Sequence, residues 1–433
     1  AEETLRQIST DSPKRAVTSI TVGQALWNQA ASDAAAGKAA DEVARLQARA
    51  VDFLEDGVKH AADLPVSLSV VRGALLVAQF WLNSGRPLEA IKLLSDDRIG
   101  PRTLADQRHP IVEQNGLREQ VYMLTMLSYI SALADSNDPD AKIDQALRCM
   151  DQMVAGDDQT TQGPAQISNA YVILARRLQE QLKSVPAGQR QGLVNAFDKF
   201  LSRAAESATE LSVLVWVAES YVDLAALTVE DGSNMSQDAL RSAGSTYGNI
   251  LAGVEGGRFS MTTQERLSTL TRLAVVYRDL GDFEAALTGL ASALRENPGQ
   301  VYMQLEAART LKAWGDAGRS EAYVEAITGT RQDARTGKKI IWGFGRIAKL
   351  VAPRPNLENL FFESRYQLSE CRFQYAMSKS GEKRSELLQQ AERDVLTTVR
   401  FFPQQGDSAY AQQFNEVLQE IQQALGKPLT GLK

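Results

Sequence analysis

Histidine and cysteine are scarce in this chain of 433 residues: His60 and His109, Cys149 and Cys371, two of each. No HExxH, CxxC or GxSxG motif accompanies them, so metal-centre and triad chemistry lack their usual parts. The cysteines stand far apart and in no metal-type spacing, which leaves them as small residues packed in helices. Long apolar runs are scarce too. No stretch approaches the roughly 18 consecutive apolar residues that a bilayer crossing needs, and Ile20 to Leu26 is broken by Gly23 and Gln24. Neither sign of charge dominates: 47 basic against 53 acidic residues give a net −6. A general nucleic-acid surface needs basic residues in excess, and this balance excludes one.

The chain opens Ala1-Glu2-Glu3. A small residue followed by acids is what remains when signal peptidase cuts an A-x-A-like site. The expected location is therefore the periplasm or cell envelope, and otherwise the cytoplasm.

What is abundant is helical periodicity. From Arg72 to Trp81 apolar residues recur at three- and four-residue steps, the signature of a buried helix face. The same pattern predicts helices over Leu117 to Ala134, Ile167 to Leu182, Leu211 to Leu227, Leu267 to Leu280 and Phe361 to Tyr375. Gly85, Gly281 and Gly315 mark stops, and Pro65, Pro298 and Pro403 sit where a helix ends or begins. No run alternates long enough to compete as a strand. The predicted class is all-α.

One unit is sharply patterned. Over 267–300, Leu273 and Ala274 lie on a first helix with Tyr277 one turn on, and Gly281 makes the turn. Phe283, Ala286, Leu290 and Ala293 follow on a second helix, and Pro298 closes the unit. At this 34-residue spacing the segment resembles the tetratricopeptide (TPR) repeat. A second match over 71–102 has Val77, Ala78, Trp81, Gly85, Ala90 and Leu94. A third, from Val301, keeps Ala307, Ala308, Leu311 and Gly315. Near the end, Ala391, Val395 and Pro403 match a second helix after an enlarged loop at 378–383. The resemblance implies a right-handed α-solenoid of stacked helical hairpins, many of them degenerate. As a whole, the chain resembles uncharacterised exported repeat proteins of planctomycete-type bacteria, through VGQALWNQA, His109-Pro110, WGFGRIA and ESRYQLSECRFQYA. That resemblance carries no activity with it.

The expected organisation is an N-terminal hairpin at 1–64, TPR-like repeats at 65–155, long-helix hairpins at 156–260 and the best-matching units at 261–330. A basic aromatic linker at 331–355 and C-terminal repeats at 356–433 complete it.

Stacked hairpins present their first helices on one concave wall, the usual ligand surface of such arrays. Its exposed positions are expected at Arg72, Leu75, Gln79, Leu82 and Asn83; at Ser268, Thr271, Val275, Arg278 and Asp279; and at Tyr302, Leu305, Arg309 and Lys312. Repeats of this family that grip a C-terminal carboxylate carry Lys and Asn where this chain has Thr271 and Val275, so a clamp of that kind is not expected. The segment 331–354 holds seven basic residues and one acid, Asp333, giving it +6 and the other residues −12. Trp342 and Phe344 sit among those charges, either as interface anchors or tucked against the neighbouring repeat. The G-x-G-x-x-A run from Gly343 to Ala348 has the letters of a dinucleotide turn. It lacks the crossover helix and second parallel strand, because Pro353 and Pro355 follow. Acidic pairs Asp96-Asp97 and Asp157-Asp158 read as helix ends.

The expectation is a non-catalytic interaction scaffold or assembly subunit, with a protein partner or sister subunits and no cofactor, metal ligand or nucleic acid. Its partner-binding residues are Arg72, Gln79, Arg278, Tyr302, Arg309, Trp342, Phe344 and Arg346. The rival is a helical-array enzyme, for instance one acting on polysaccharide, with acids in the groove.

Overall fold

The computed structural model describes residues 8, 12–61, 64–133, 138–154, 178–180, 182–183, 190–208, 210–229, 234–334, 336–352, 354–402 and 410–432. Ala1-Glu2-Glu3, Asp157-Asp158, Pro353, Pro403 and most of the predicted helix Ile167 to Leu182 lie outside them. The chain divides into two compact units, 1–209 with 226–235 and 210–225 with 236–433, where sequence had suggested six segments.

The first unit contains α1 (Pro13–Ala35), α2 (Ala40–Ala61), α3 (Leu68–Asn83), α4 (Pro87–Leu94), α5 (Pro101–Asp106), α6 (Pro110–Glu113), α7 (Arg118–Ser131), α8 (Pro139–Val154) and α9 (Gln191–Ser207). Helices α1 and α2 cross on two glycines. A Cβ on Gly23 would lie 2.6 Å from Leu54 Cγ and 2.8 Å from the Ala50 carbonyl oxygen, and one on Gly57 2.6 Å from Ile20 Cγ1. Neither position has room for a side chain. Ser67 caps α3 by accepting from the Val70 N–H. Gly85, at φ +73°, turns the chain into α4, whose first residue is Pro87. Pro there loses nothing, since the first N–H of a helix has no internal partner.

The second unit contains most of α10 (Leu211–Thr228), α11 (Met235–Glu255), α12 (Thr263–Asp279), α13 (Phe283–Glu296), α14 (Val301–Asp316), α15 (Glu321–Thr328), β1 (Thr330–Gln332), β2 (Lys339–Ile341), α16 (Phe344–Val351), α17 (Glu358–Met377), α18 (Gly381–Phe401) and α19 (Ala411–Ala424). The patterned hairpin is α12 and α13. Thr262 and Glu265 form a reciprocal capping box at its start. Gly281, at φ +82°, makes the turn, and Asp282 caps α13 by accepting from the Ala285 N–H at 3.0 Å. Ala286 and Leu290 are wholly buried and Ala274 and Ala293 nearly so, as the spacing requires. Successive hairpins pack on their sequence neighbours, so the fold is an all-α solenoid of helical repeats.

Three expectations need correction. Residues 331–355 are not a linker: they hold an antiparallel two-stranded hairpin, Thr330 opposite Ile341 and Gln332 opposite Lys339, followed by α16. Three-residue strands are too short to show alternation, so no strand signal is legible there. The enlarged loop at 378–383 is shorter, because Gly381 already begins α18. Leu75, Leu82 and Leu305, expected on an exposed wall, are buried. Among the described residues one helix, α10, is long and apolar enough to cross a membrane by length and composition alone, with mean hydropathy 1.4 and 44% of it buried within the chain. Glu219 and Asp223 interrupt its apolar run, which hides it from a search for unbroken stretches.

Two outcomes follow from this packing. Ala286→Leu overpacks the α12–α13 crossing and should cost about 1–3 kcal/mol, read by chemical denaturation; an unchanged midpoint contradicts the assignment. Cys149 and Cys371 are buried free thiols. Burial pushes the Cys149 pKa up to about 11 and raises that of Cys371 as well. The thiolate is the reactive form, so at about pH 8 both should resist a chromogenic disulfide reagent until the chain unfolds.

Candidate functional site

In the first unit, α1, α3 and α7 line a cavity of about 280 Å³ with Gln24 and Asn28, Arg72, Leu75 and Leu76, and Gln120. Gln24 and Asn28 are one turn apart on α1. Gln24 Nε2 donates to the Ser69 carbonyl on α3 at 3.3 Å, which fixes its amide against the neighbouring hairpin. Leu75 is the buried floor. Arg72 is exposed and, among the described residues, has no ion-pair partner. Its neighbours in the unit differ: Arg118 pairs with Glu113 at 2.8 Å, Arg15 with Asp56 at 3.6 Å and Arg86 with Glu89 at 3.7 Å. Among the described residues, no acid lines the cavity. Gln79, two turns from Arg72, donates to Asn83 Oδ1 at 3.2 Å, so a second pair of amides continues along α3.

The equivalent helices of the second unit look chemically different. Arg278 on α12 pairs with Glu306 on α14 at 2.8 Å; Glu306 also accepts from Arg309, and Arg309 Nε donates to Glu363 on α17 at 2.6 Å. This chain of charges joins three hairpins. Burial of Arg309 disfavours its charge, but Glu306 and Glu363 outweigh it and its pKa rises. Both predicted contact arginines here are therefore already engaged inside the chain. The Thr271 hydroxyl donates to the Leu267 carbonyl at 2.7 Å. Tyr302 stands out at 65% exposure. Further along, Glu420 has a raised pKa, from burial first and then from Glu370 and Glu416.

The third predicted element is corrected most. Trp342 and Phe344 do not project from a loop: they are 8% and 0% exposed and belong to the core of the second unit. Gln304 on α14, itself fully buried, explains this. Its Nε2 donates to the Ile340 carbonyl at 3.0 Å, and its Oε1 accepts from the Trp342 N–H at 2.7 Å. One side-chain amide thus satisfies the Ile340 carbonyl of β2 and the Trp342 N–H just beyond it, as a third strand would. A Cβ on Gly343 would sit 2.3 Å from the Ile327 carbonyl and one on Gly329 2.3 Å from the Ile341 oxygen. The first glycine of the G-x-G run therefore serves close backbone packing within the chain. Arg346 alone of this trio is exposed, its guanidinium 4.3 Å from the Trp342 ring centroid.

Sequence reading missed Gln24, Asn28, Gln120 and Gln304. Gln304 falls in the apolar register of α14, between Met303 and Leu305, and a polar residue in that register is the signal that was there to find. Among the described residues, no group of three or more His, Cys, Asp or Glu could hold a metal ion.

No protein-family model and no curated protein matches this chain. Among solved structures, it is similar to a circular tandem repeat protein with novel repeat topology, at 15% identity and TM-score 0.38, covering 96% of this chain and 98% of that one. It is also similar to the P58(IPK) TPR domain, at 14% identity and TM-score 0.21, covering 93% and 98%. The assignment of the fold rests on the chain's own hairpins.

Gln304→Leu would leave the Ile340 carbonyl and Trp342 N–H buried and unpaired. Each such group costs about 1–3 kcal/mol, so denaturation should show a large loss of stability, with Trp342 fluorescence shifting to the red. An unchanged melt would mean the hairpin holds without the amide.

Proposed function

We propose that this chain is a protein-interaction scaffold that holds an extended peptide segment in the groove of Gln24, Asn28, Arg72 and Gln120. The observation that carries the reading is Arg72: an exposed guanidinium with no ion-pair partner among the described residues, set among three primary amides over an apolar floor. Each amide presents a donor and an acceptor, which matches the alternating C=O and N–H of a main chain. The guanidinium suits a carboxylate side chain, which it can hold through two parallel hydrogen bonds. Leu75 and Leu76 add apolar contact. The first unit is the receptive one in this reading, because the corresponding arginines of the second unit already hold glutamates. An enzyme working by paired acids would need carboxylates converging in the groove, and this lining has none.

The test is a positional library of acetylated, amidated octapeptides, with Asp and Glu varied against Lys at each position. Wild-type protein should retain the acidic pools. Arg72→Gln should weaken that retention about tenfold or more, the scale of one hydrogen-bonded charge, with an unchanged melting temperature. Equal retention by wild type and variant, or a preference for the Lys pools, overturns the reading.

A further inference from the structure

Helix α16 has an inner and an outer side. Phe344, Ile347, Ala348 and Val351 are buried in the core of the second unit. Arg346, Lys349 and Leu350, at the i, i+3 and i+4 positions that share a helix face, are exposed, and Arg354 follows exposed after the helix. The clamp of Gln304 on the preceding strand holds this helix in place, so the outer side is a fixed surface.

Two other cations of the segment are engaged. Arg331 pairs with Glu284 at 2.6 Å, and Lys339 Nζ donates to the Thr328 carbonyl at 3.1 Å. Lys349 and Arg354 have no ion-pair partner among the described residues. Sequence gives them no local acid either: between Asp333 and Glu358 there is none. Leu350, at 40% exposure, stands beside these charges. Three cations around one exposed leucine form a surface that complements an anionic one with a small apolar contact.

We propose that this outer side of α16 docks onto a second copy of the same chain. Charge argues for that occupant. The exposed cations of this face, Arg346, Lys349 and Arg354, carry +3 while the chain as a whole carries −6, so the remaining residues of each copy sum to −9. The face cannot pair with itself, since that would set like charges against each other. The contact is therefore heterologous, α16 of one copy against an acidic surface elsewhere on the other. Electrostatic attraction raises the encounter rate and is screened by salt, and the leucine adds a contact that salt does not weaken.

Sedimentation velocity over a range of protein concentrations tests this, at about 0.02 M and about 0.5 M salt, where exposed charges are screened within a few ångström. Wild-type protein should associate at low salt and come apart at high salt. Lys349→Glu with Arg354→Glu should weaken association at least tenfold at low salt; Arg346 stays untouched because it stacks on Trp342. A melting curve accompanies each variant, and if the double Glu variant melts early, the Lys349→Gln, Arg354→Gln pair replaces it. A wild-type monomer at both salts overturns the proposal. So does association that ignores salt or survives in the variant. Binding of Lys349 and Arg354 to anionic phospholipid vesicles without self-association overturns it in favour of a membrane. Arg72→Gln should leave self-association intact, so failure here and failure of the peptide groove are read separately.

Discussion

A single buried amide determines how the second unit is finished. Gln304 supplies a donor to Ile340 in β2 and an acceptor to Trp342 just after it, and without it these two main-chain groups would lie in the core unmet. Burying an unpaired main-chain group is among the costlier events in a folded protein, so the hairpin's inward position and the amide's presence depend on each other. The rest follows in order. With β2 fixed, Trp342 and Phe344 enter the core, Gly343 meets Ile327 at backbone distance, and α16 is left with its cations outward.

The same helical repeat supports two different walls. In the second unit, Arg278, Glu306, Arg309 and Glu363 bind each other in series, each partly removed from water. Partial burial makes such pairs worth less than their short distances imply, because desolvation offsets much of the attraction. Their effect is to fix neighbouring first helices to one another. In the first unit, amides occupy the comparable surface, and an amide without a strong partner costs little to leave in water. The wall of the second unit has its charges matched internally, and the wall of amides around the Arg72 guanidinium, with hydrogen-bonding capacity to spare, is the one suited to exchange water for a partner.

The hairpins were legible because their spacing is dictated by contact between a helix and its sequence neighbour. Ala274, Ala286 and Ala293 are small for a reason that acts within 34 residues, and Gly281 needs a positive φ that few other residues tolerate. The exposure of Leu75, Leu82 and Leu305 depends instead on how the next hairpin lies, which no local pattern encodes. The segment 331–355 misled for a related reason. Its charges and aromatics are adjacent in sequence but part company in space, because Gln304 lies some distance upstream on another helix. Of the residues expected to bind a partner, Arg72 remains free, Arg278 and Arg309 are taken up by Glu306, and Trp342 and Phe344 belong to the core. The amides around Arg72 come from two helices other than its own, α1 and α7, and have no shared motif.

The glycine contact between Gly329 and Gly343 has a consequence for assembly of the chain during folding. Arrays of similar hairpins run a risk that a repeat stacks on the wrong neighbour, since the mating surfaces are much alike. A junction between α15 and α17 made by a β-hairpin, two facing glycines and a dedicated glutamine cannot be imitated by any ordinary pair of repeats. It acts as a key cut for one position, so α17 and the helices after it have one place to join.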